Sequence, residues 1–330
     1  MPDNNKLLLL NNHQVDALID PDEVLSAVRE AFVLHSQGSG RLFPVVRERL
    51  SSGGVFGIKS GDVGGESLLG FKAAGFWPEN RRRNAEAHQA TIVLIDPDTG
   101  RPLSVIDGNA ITTIRTGAAG GLGLRQFARP DSTRLCIFGT GTQAQIQARF
   151  ALRLFPSLRI LRFLSHDGSP APRFEAAVGL LAARLGCQVV QASHPDAAVA
   201  ASDIVITATT GQGPLFHAEA VQPGTHLNCV GTDTIGKREL PEGLPARAHV
   251  FVDDLVQARE IGEMQWSKQT PGIQIGDVLT GKTDFARRPD DITLFDMTGM
   301  ALQDLTVARL LMQKARAAGI GTLVDWPWQS

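Results

Sequence analysis

The sequence predicts an α/β protein, a doubly wound parallel sheet of the Rossmann type joined to a second, α+β domain. Three observations carry this expectation. The stretch RLCIF-Gly139-Thr140-Gly141-Thr142-Gln143-Ala144 reads as an apolar strand, a G-x-G-x-x-A turn and the start of a helix. After Pro130, continuous apolar runs alternate with helical patterns, as a parallel sheet covered on both faces requires. Before Asp107 the β-forming runs are instead short and bounded by Gly, Pro or Asn, which is the texture of a separate sheet.

Taken in order, the first clear element is a helix beginning at Asp20-Pro21. Asp20 is its N-cap, proline occupies the first helical position, and Glu23 completes a capping box. Val24, Val28, Ala31 and Phe32 form its apolar stripe, and Gly38 to Gly40 end it. From Val45 to Leu94 the segments VVRERL, GVFGIKS, LLGFKAAGF and ATIVLI read as strands, with Arg81-Arg82-Arg83 in a solvated loop between them. Asp96-Pro97-Asp98-Thr99-Gly100 is a turn, so PLSVI is the return strand of a hairpin. Beyond Asp107, Ile111, Ile114, Ala118 and Leu122 keep helical spacing. Gly117, Gly120, Gly121 and Gly123 weaken that helix unless another backbone packs closely on it. The remaining strands are RLCIF, RILRFLS, CQVVQA, DIVITAT, THLNCVG, HVFVDD and DITLFD, and the last long helix covers about Met300 to Ala318.

Composition narrows the function. At roughly 150 residues per domain, 330 residues correspond to about two domains. Lys+Arg 32 against Asp+Glu 34, with 43% hydrophobic residues, leaves neither a basic field for nucleic acid nor a disorder signature. The longest early apolar run, Leu7 to Leu10, is too short for a signal or a membrane span, which points to a cytoplasmic protein. Cys136, Cys187 and Cys229 lie in strand-like runs, where buried reduced thiols are expected. The 8 histidines are never within four residues of each other, and there is no C-x-x-C, so no metal is expected.

In the G-x-G-x-x-A turn, backbone N–H groups and the positive helix end face a pyrophosphate, and Ala144 is small enough for close helix–strand packing. The next strand ends at Ser165-His166-Asp167. If Asp167 holds the ribose the cofactor is NAD; if Ser165 takes the key position and His166 faces a phosphate, it is NADP. Hydride exchange with a small amino or keto acid also needs a cationic clamp and a proton-transfer group. Lys72 lies in the apolar strand GFKAAGF and needs an anion, Arg115 sits on the glycine-rich helix, and Arg47 follows Pro44. Taken singly, each reads first as a salt-bridged or snorkelling side chain. Asp233, after the strand LNCVG, is either a ligand-facing acid at a strand's carboxyl end or an N-cap or turn residue.

GFKAAGF, AHQATIVLIDPDTG, IDGNAITTIRTGAAG, IFGTGTQAQ, HLNCVGTDTIGKREL and TLFDMTGMALQD resemble, in order and spacing from about Pro44 to Leu310, the ornithine cyclodeaminase/mu-crystallin family. The resemblance implies a homodimer. Its substrate-binding and dimerisation domain would span 1–115 with 300–330, and its Rossmann domain 116–299. It implies that Lys72 contacts substrate and takes part in catalysis, and that Arg115 binds the substrate carboxylate, with Arg47 or the neighbouring Arg49 as a second clamp. Asp233 resembles the acid used near the reacting amine, with Lys237 following it. Cofactor contacts are implied at Thr116, at Gly139 to Ala144, at Ser165 to Asp167, at Thr207, Ala208 and Thr209, at Val230 and Gly231, at Lys237 and at Met297. Two residues depart from the family pattern: Ala87 where Ser or Thr is common, and Met297 where Ser is common.

These residues imply NAD or NADP and a small amino- or imino-acid substrate. The leading expectation is an oxidoreductase moving hydride at the Cα of a small α-amino or α-imino acid, with FPVVRERL, VFGIKSG and GFKAAGFWPEN similar to open-chain imino-acid reductases such as iminosuccinate reductase. The alternatives are a cyclodeaminase that turns ornithine into proline and ammonia while recycling NAD, and a non-catalytic binding protein of the mu-crystallin kind.

Overall fold

In a computed structural model, residues 6–65 and 68–325 are described; the outermost residues of the expected 1–115 and 300–330 spans lie outside them. Contacts divide the chain into two units. One comprises the residues up to Arg115 and those from Met300 onward, the other Thr116 to Gly299.

The first unit opens with two elements ahead of the helix at Asp20. The leucine run is a strand, β1 (Lys6–Leu10), and α1 (Asn12–Leu18) follows it, with Asn11 and Gln14 capping each other reciprocally. α2 (Pro21–Gln37) starts at Asp20, whose carboxylate accepts from the N–H groups of Asp22 and Glu23, and stops at Gly38 with φ 77°. Glu23 does not close the expected capping box. Its carboxylate is taken by Lys314, since an ammonium is a stronger partner than one backbone N–H.

β2 (Gly40–Leu42), β3 (Val46–Arg49), β4 (Val55–Val63), β5 (Leu68–Phe76), β6 (His88–Ile95) and β7 (Pro102–Asp107) form the body of a mixed sheet. β4 to β7 are antiparallel neighbours in sequence order, β2 and β3 both pair with β4, and β1 runs parallel to β7. The β6–β7 hairpin turns where expected, with Gly100 N–H donating to Asp96 C=O at 2.8 Å and Thr99 Oγ1 donating to the Asp96 carboxylate at 2.6 Å. The triple-arginine run is not a plain loop. It lies in a 3-10 turn, Pro78–Arg83, in which exposed Arg82 pairs with Glu79 at 2.7 Å.

α3 (Gly108–Phe127) follows, and its glycines are explained by close approach. A Cβ on Gly117 would come within 2.5 Å of the Ile146 side chain, and one on Gly123 within 2.3 Å of the Phe295 ring, so it is side chains and not the expected backbone that approach them. The second unit is built from β8 (Arg134–Phe138), α4 (Thr142–Leu154), β9 (Ile160–Leu164), α5 (Pro172–Arg184), β10 (Gln188–Gln191), α6 (Pro195–Ala200), β11 (Ile204–Thr207), β12 (His226–Cys229), β13 (His249–Val252), α7 (Leu255–Ile261), β14 (Ile273–Gln274), α8 (Ile275–Leu279) and β15 (Thr293–Asp296). Its sheet is wholly parallel in the order β10-β9-β8-β11-β12-β15-β13-β14. The strand order reverses between β8 and β11, the point where doubly wound sheets bind ligands beyond their carboxyl ends. The four residues of β11, β12 and β15 are all buried, as continuous apolar strands under helices on both faces should be.

α9 (Ala301–Ala318) and β16 (Thr322–Asp325) return to the first unit, where β16 pairs antiparallel with β1 and α9 packs on the sheet. A Cβ on Gly70 of β5 would stand 2.9 Å from Leu305. The three cysteines are free and buried, and burial pushes the Cys136 thiol up to about 12. Among the described residues no helix is long and apolar enough to cross a membrane.

Candidate active site

Within the first unit, strand register decides which side chains share the face that α9 covers. Lys72 lies opposite Lys59 on β4 and Ile92 on β6. His88 lies opposite Phe76, two steps along the same face. Arg47 and Arg49 stand opposite Gly57 and Val55, so both belong to this face too, with Arg47 in the row next to Lys72. Arg47 is nevertheless exposed on a short strand at the sheet edge.

Lys72 and Arg115 are brought together by a residue the sequence did not single out. Asp304, in the first turn of α9, is fully buried, ion-paired with Lys72 Nζ at 2.7 Å, and accepts a hydrogen bond from Arg115 Nε at 3.0 Å. Arg115 also donates through Nη1 to Gln303 Oε1 at 3.0 Å. Lys72 is 5% exposed and Arg115 8%, so two cations share one carboxylate out of water. Burial works against the charge on Asp304, yet Arg115 and Lys72 together hold its carboxyl below the usual range. Burial lowers the Lys72 ammonium to about 7, Asp304 opposing and Arg115 and Lys59 reinforcing the shift. His88, bonded to Asn109 at 3.1 Å, is pushed below its ordinary value by burial and then by Lys72 and Arg115. Ala87, beside it, is buried.

In the second unit, the loop after β8 has the construction a pyrophosphate needs. Gly139 has φ 100°, and a Cβ there would meet the Ala208 carbonyl oxygen at 2.4 Å, so glycine is required by the fold itself. Gly141 is different. Its φ of −74° and ψ of −176° suit any residue, and no atom lies within 4 Å of the place a Cβ would occupy. Gly141 is also the N-cap of α4 without a side-chain cap, so the N–H groups of Thr142, Gln143 and Ala144 open onto a clear approach, and Ala144 is fully buried against the sheet. These residues fit a dinucleotide's phosphates.

Ser165, just past β9, donates through Oγ to Ser169 C=O at 2.7 Å and accepts from Gln191 Nε2 at 3.1 Å, while exposed Asp167 accepts from Ser169 N–H at 3.0 Å. His166 is exposed beside them. Thr207, Ala208, Thr209, Val230, Gly231 and Met297 all stand at or just beyond the carboxyl ends of β11, β12 and β15. Gln147 of α4 donates to Thr116 C=O at 2.7 Å, fixing the start of the glycine-rich part of α3. Asp233 is neither an N-cap nor buried. It sits half-exposed in an irregular loop, where its Oδ1 accepts from Lys237 Nζ at 2.6 Å and from Thr234 Oγ1 at 3.0 Å.

A sequence profile described as the ornithine cyclodeaminase/mu-crystallin family matches residues 5–319. The chain is 32% identical over 326 residues to the iminosuccinate reductase of Paracoccus denitrificans, covering 97% of this chain and 100% of that protein. The crystal structure of that reductase in complex with NAD+ superposes with a TM-score of 0.88 at 31% identity, covering 97% of this chain and 100% of the other. An archaeal alanine dehydrogenase dimer with bound NAD superposes with a TM-score of 0.89 at 30% identity, covering 97% and 99%. The Delta(1)-pyrroline-2-carboxylate reductase of Thermococcus litoralis, in complex with NADH and L-proline, gives 0.87 at 26% identity, covering 96% and 100%.

Proposed function

The chain belongs to the ornithine cyclodeaminase/mu-crystallin family, and on that footing we propose that it reduces small, open-chain α-imino acids to α-amino acids, as an NAD(P)-dependent oxidoreductase. The observation that carries this reading is the charge balance around Asp304: two buried cations, Lys72 and Arg115, against one buried carboxylate. Unbalanced buried charge is costly, and a substrate carboxylate supplies the missing anion. Arg115 binds it through the guanidinium edge not given to Asp304, Lys72 adds a second contact, and Arg47 adds a third from the strand edge.

Asp233 exchanges a proton with the reacting nitrogen, and its ion pair with Lys237 at 2.6 Å orients the carboxyl group. Bound NAD(P)H supplies the hydride. The residues proposed to hold it are Gly139 to Ala144 at the phosphates, Ser165 to Asp167 at the adenosine ribose, and Thr116, Thr207 to Thr209, Val230, Gly231, Lys237 and Met297 beyond. A homodimer is proposed on the likeness to the alanine dehydrogenase dimer, and a cytosolic setting on the three free thiols.

Arg115→Lys tests the clamp, because it keeps the charge but loses the fork. With pyruvate or oxaloacetate plus ammonium as the source of imino acid, kcat/KM should fall by about a hundredfold or more while NADH affinity barely moves. Collapse of NADH binding with an unchanged substrate KM would contradict the assignment.

A further inference from the structure

The loop that carries Asp233 is held in a way that neither its own sequence nor the cofactor explains. It leaves β12 through Gly231 and Thr232 and returns at Glu239 and Leu240. Both of its ends converge on a single carboxylate. Buried Glu263 accepts from Thr232 Oγ1 and, on the same oxygen, from Glu239 N–H at 2.7 Å, while its other oxygen accepts from Leu240 N–H at 3.3 Å. Two residues on, Gln265 Oε1 accepts from Gly236 N–H at 2.8 Å and Gln265 Nε2 donates to Lys237 C=O at 3.2 Å. Trp266 Nε1 donates to the same Lys237 carbonyl at 2.8 Å, with its ring under the Arg238 guanidinium, 5.3 Å from the ring centroid. One four-residue 3-10 turn, Glu263–Trp266, therefore grips the loop at both ends and at its tip.

We infer that Glu263, Gln265 and Trp266 are positioning residues for the reaction, a clamp that fixes where Asp233 and Lys237 stand without touching substrate; this rests on the proton-transfer role proposed above for Asp233. The geometry argues for a purpose beyond folding. A carboxylate buried to 2% exposure is a costly way to close a surface loop, and an apolar residue could fill the same volume. What the carboxylate adds is direction, since hydrogen bonds fix the loop's ends to within a few tenths of an ångström where packing alone would not. Companion Glu239 extends the hold to the cofactor side. It accepts from Thr209 N–H at 2.7 Å, from Thr209 Oγ1 at 2.6 Å and from Gly231 N–H at 2.9 Å, so its removal disturbs dinucleotide contacts as well. Glu263, Gln265 and Trp266 make no bond to the 207–209 segment themselves, which makes them the cleaner test.

The test uses three variants of the full chain: Glu263→Gln, Gln265→Leu and Trp266→Phe. The last two alter half-exposed side chains and leave the fold intact even if Glu263→Gln does not fold. NADH consumption is followed with oxaloacetate or pyruvate plus ammonium, whichever turns over faster, and hydrogen exchange is followed at the amides of residues 232–240. Each folded variant should show faster exchange in that segment and a kcat lowered between about tenfold and a hundredfold, with substrate KM within about twofold of wild type. On an Asp233→Asn background the same changes should lower kcat no further, because the residue they position is gone. Unchanged kcat in folded Gln265→Leu and Trp266→Phe, or losses that multiply with that of Asp233→Asn, would overturn the clamp while leaving the role of Asp233 standing. Near-wild-type kcat in Asp233→Asn itself would overturn that role, and the clamp's purpose with it.

Discussion

Replacing Gly141 with valine separates what the dinucleotide loop needs for folding from what it needs for binding. At Gly141 the backbone already lies in a region valine adopts, and the space beyond the Cα is clear to 4 Å. Valine is a poorer N-cap by about 1 kcal/mol, and it reduces the freedom of the unfolded chain by an amount worth about 0.4 to 1 kcal/mol, so the net change in stability is near zero. Binding is another matter. In the proposed binding mode the side chain stands where phosphate oxygens approach the N–H groups that open α4, and each such charge-assisted bond is worth roughly 1.5 to 3 kcal/mol. Losing two of them at the lower figure costs about 3 kcal/mol, or roughly a hundredfold in Kd. Gly139→Ala is the contrasting variant. With φ 100° and the Ala208 carbonyl 2.4 Å from the new Cβ, it should destabilise the fold by about 2 kcal/mol or more. Fluorescence titration with NADH and thermal unfolding, run on both variants, read the two effects apart. A folded Gly141→Val protein with wild-type NADH affinity would refute the assignment of the loop.

Two further expectations concern stability. Asp304→Asn leaves Lys72 and Arg115 buried without their shared anion and should destabilise the protein by about 3 kcal/mol, measured by denaturant unfolding; a loss under about 0.5 kcal/mol would mean that the pair is not held by that carboxylate. His226, fully buried between Thr293 Oγ1 and Asn228 Oδ1, is held down to about 3 chiefly by burial, so its folded value lies below its unfolded one. The unfolded chain then takes up a proton near 6.5 that the folded one refuses, and the contribution of His226 is complete above that pH and lost as pH falls toward 3, with a slope of up to about 1.4 kcal/mol per unit. His226→Gln should flatten the acid limb of the stability profile, and an unaltered slope would show that His226 does not titrate on unfolding.

The parts of the fold that were legible in the sequence are those written in local chemistry. The G-x-G-x-x-A turn sits between its strand and helix, Asp20 caps α2, and the glycines of α3 mark close neighbours. What could not be read depends on pairings between distant residues. Arg115 and Asp304 are 189 positions apart, and nothing local to α9 distinguishes an acid that compensates two cations from one that favours a helix start. The insertion of β15 between β12 and β13 is likewise set by packing, because parallel strands carry no turn that fixes their neighbours. The Glu263–Trp266 segment reads as an ordinary polar stretch, and only its hydrogen bonds to the 231–240 loop reveal it.

The claim that hydride is moved to an external imino acid is tested most directly by stoichiometry. Purified protein is mixed with NADH, ammonium and a 2-oxo acid, and the loss of nicotinamide absorbance is compared with the amino acid formed. A reductase consumes one NADH for each amino acid made, and that is the expected result. Release of ammonia from ornithine with no net change in nicotinamide absorbance, alongside no consumption with any 2-oxo acid, would contradict it and identify a redox-neutral cyclodeaminase.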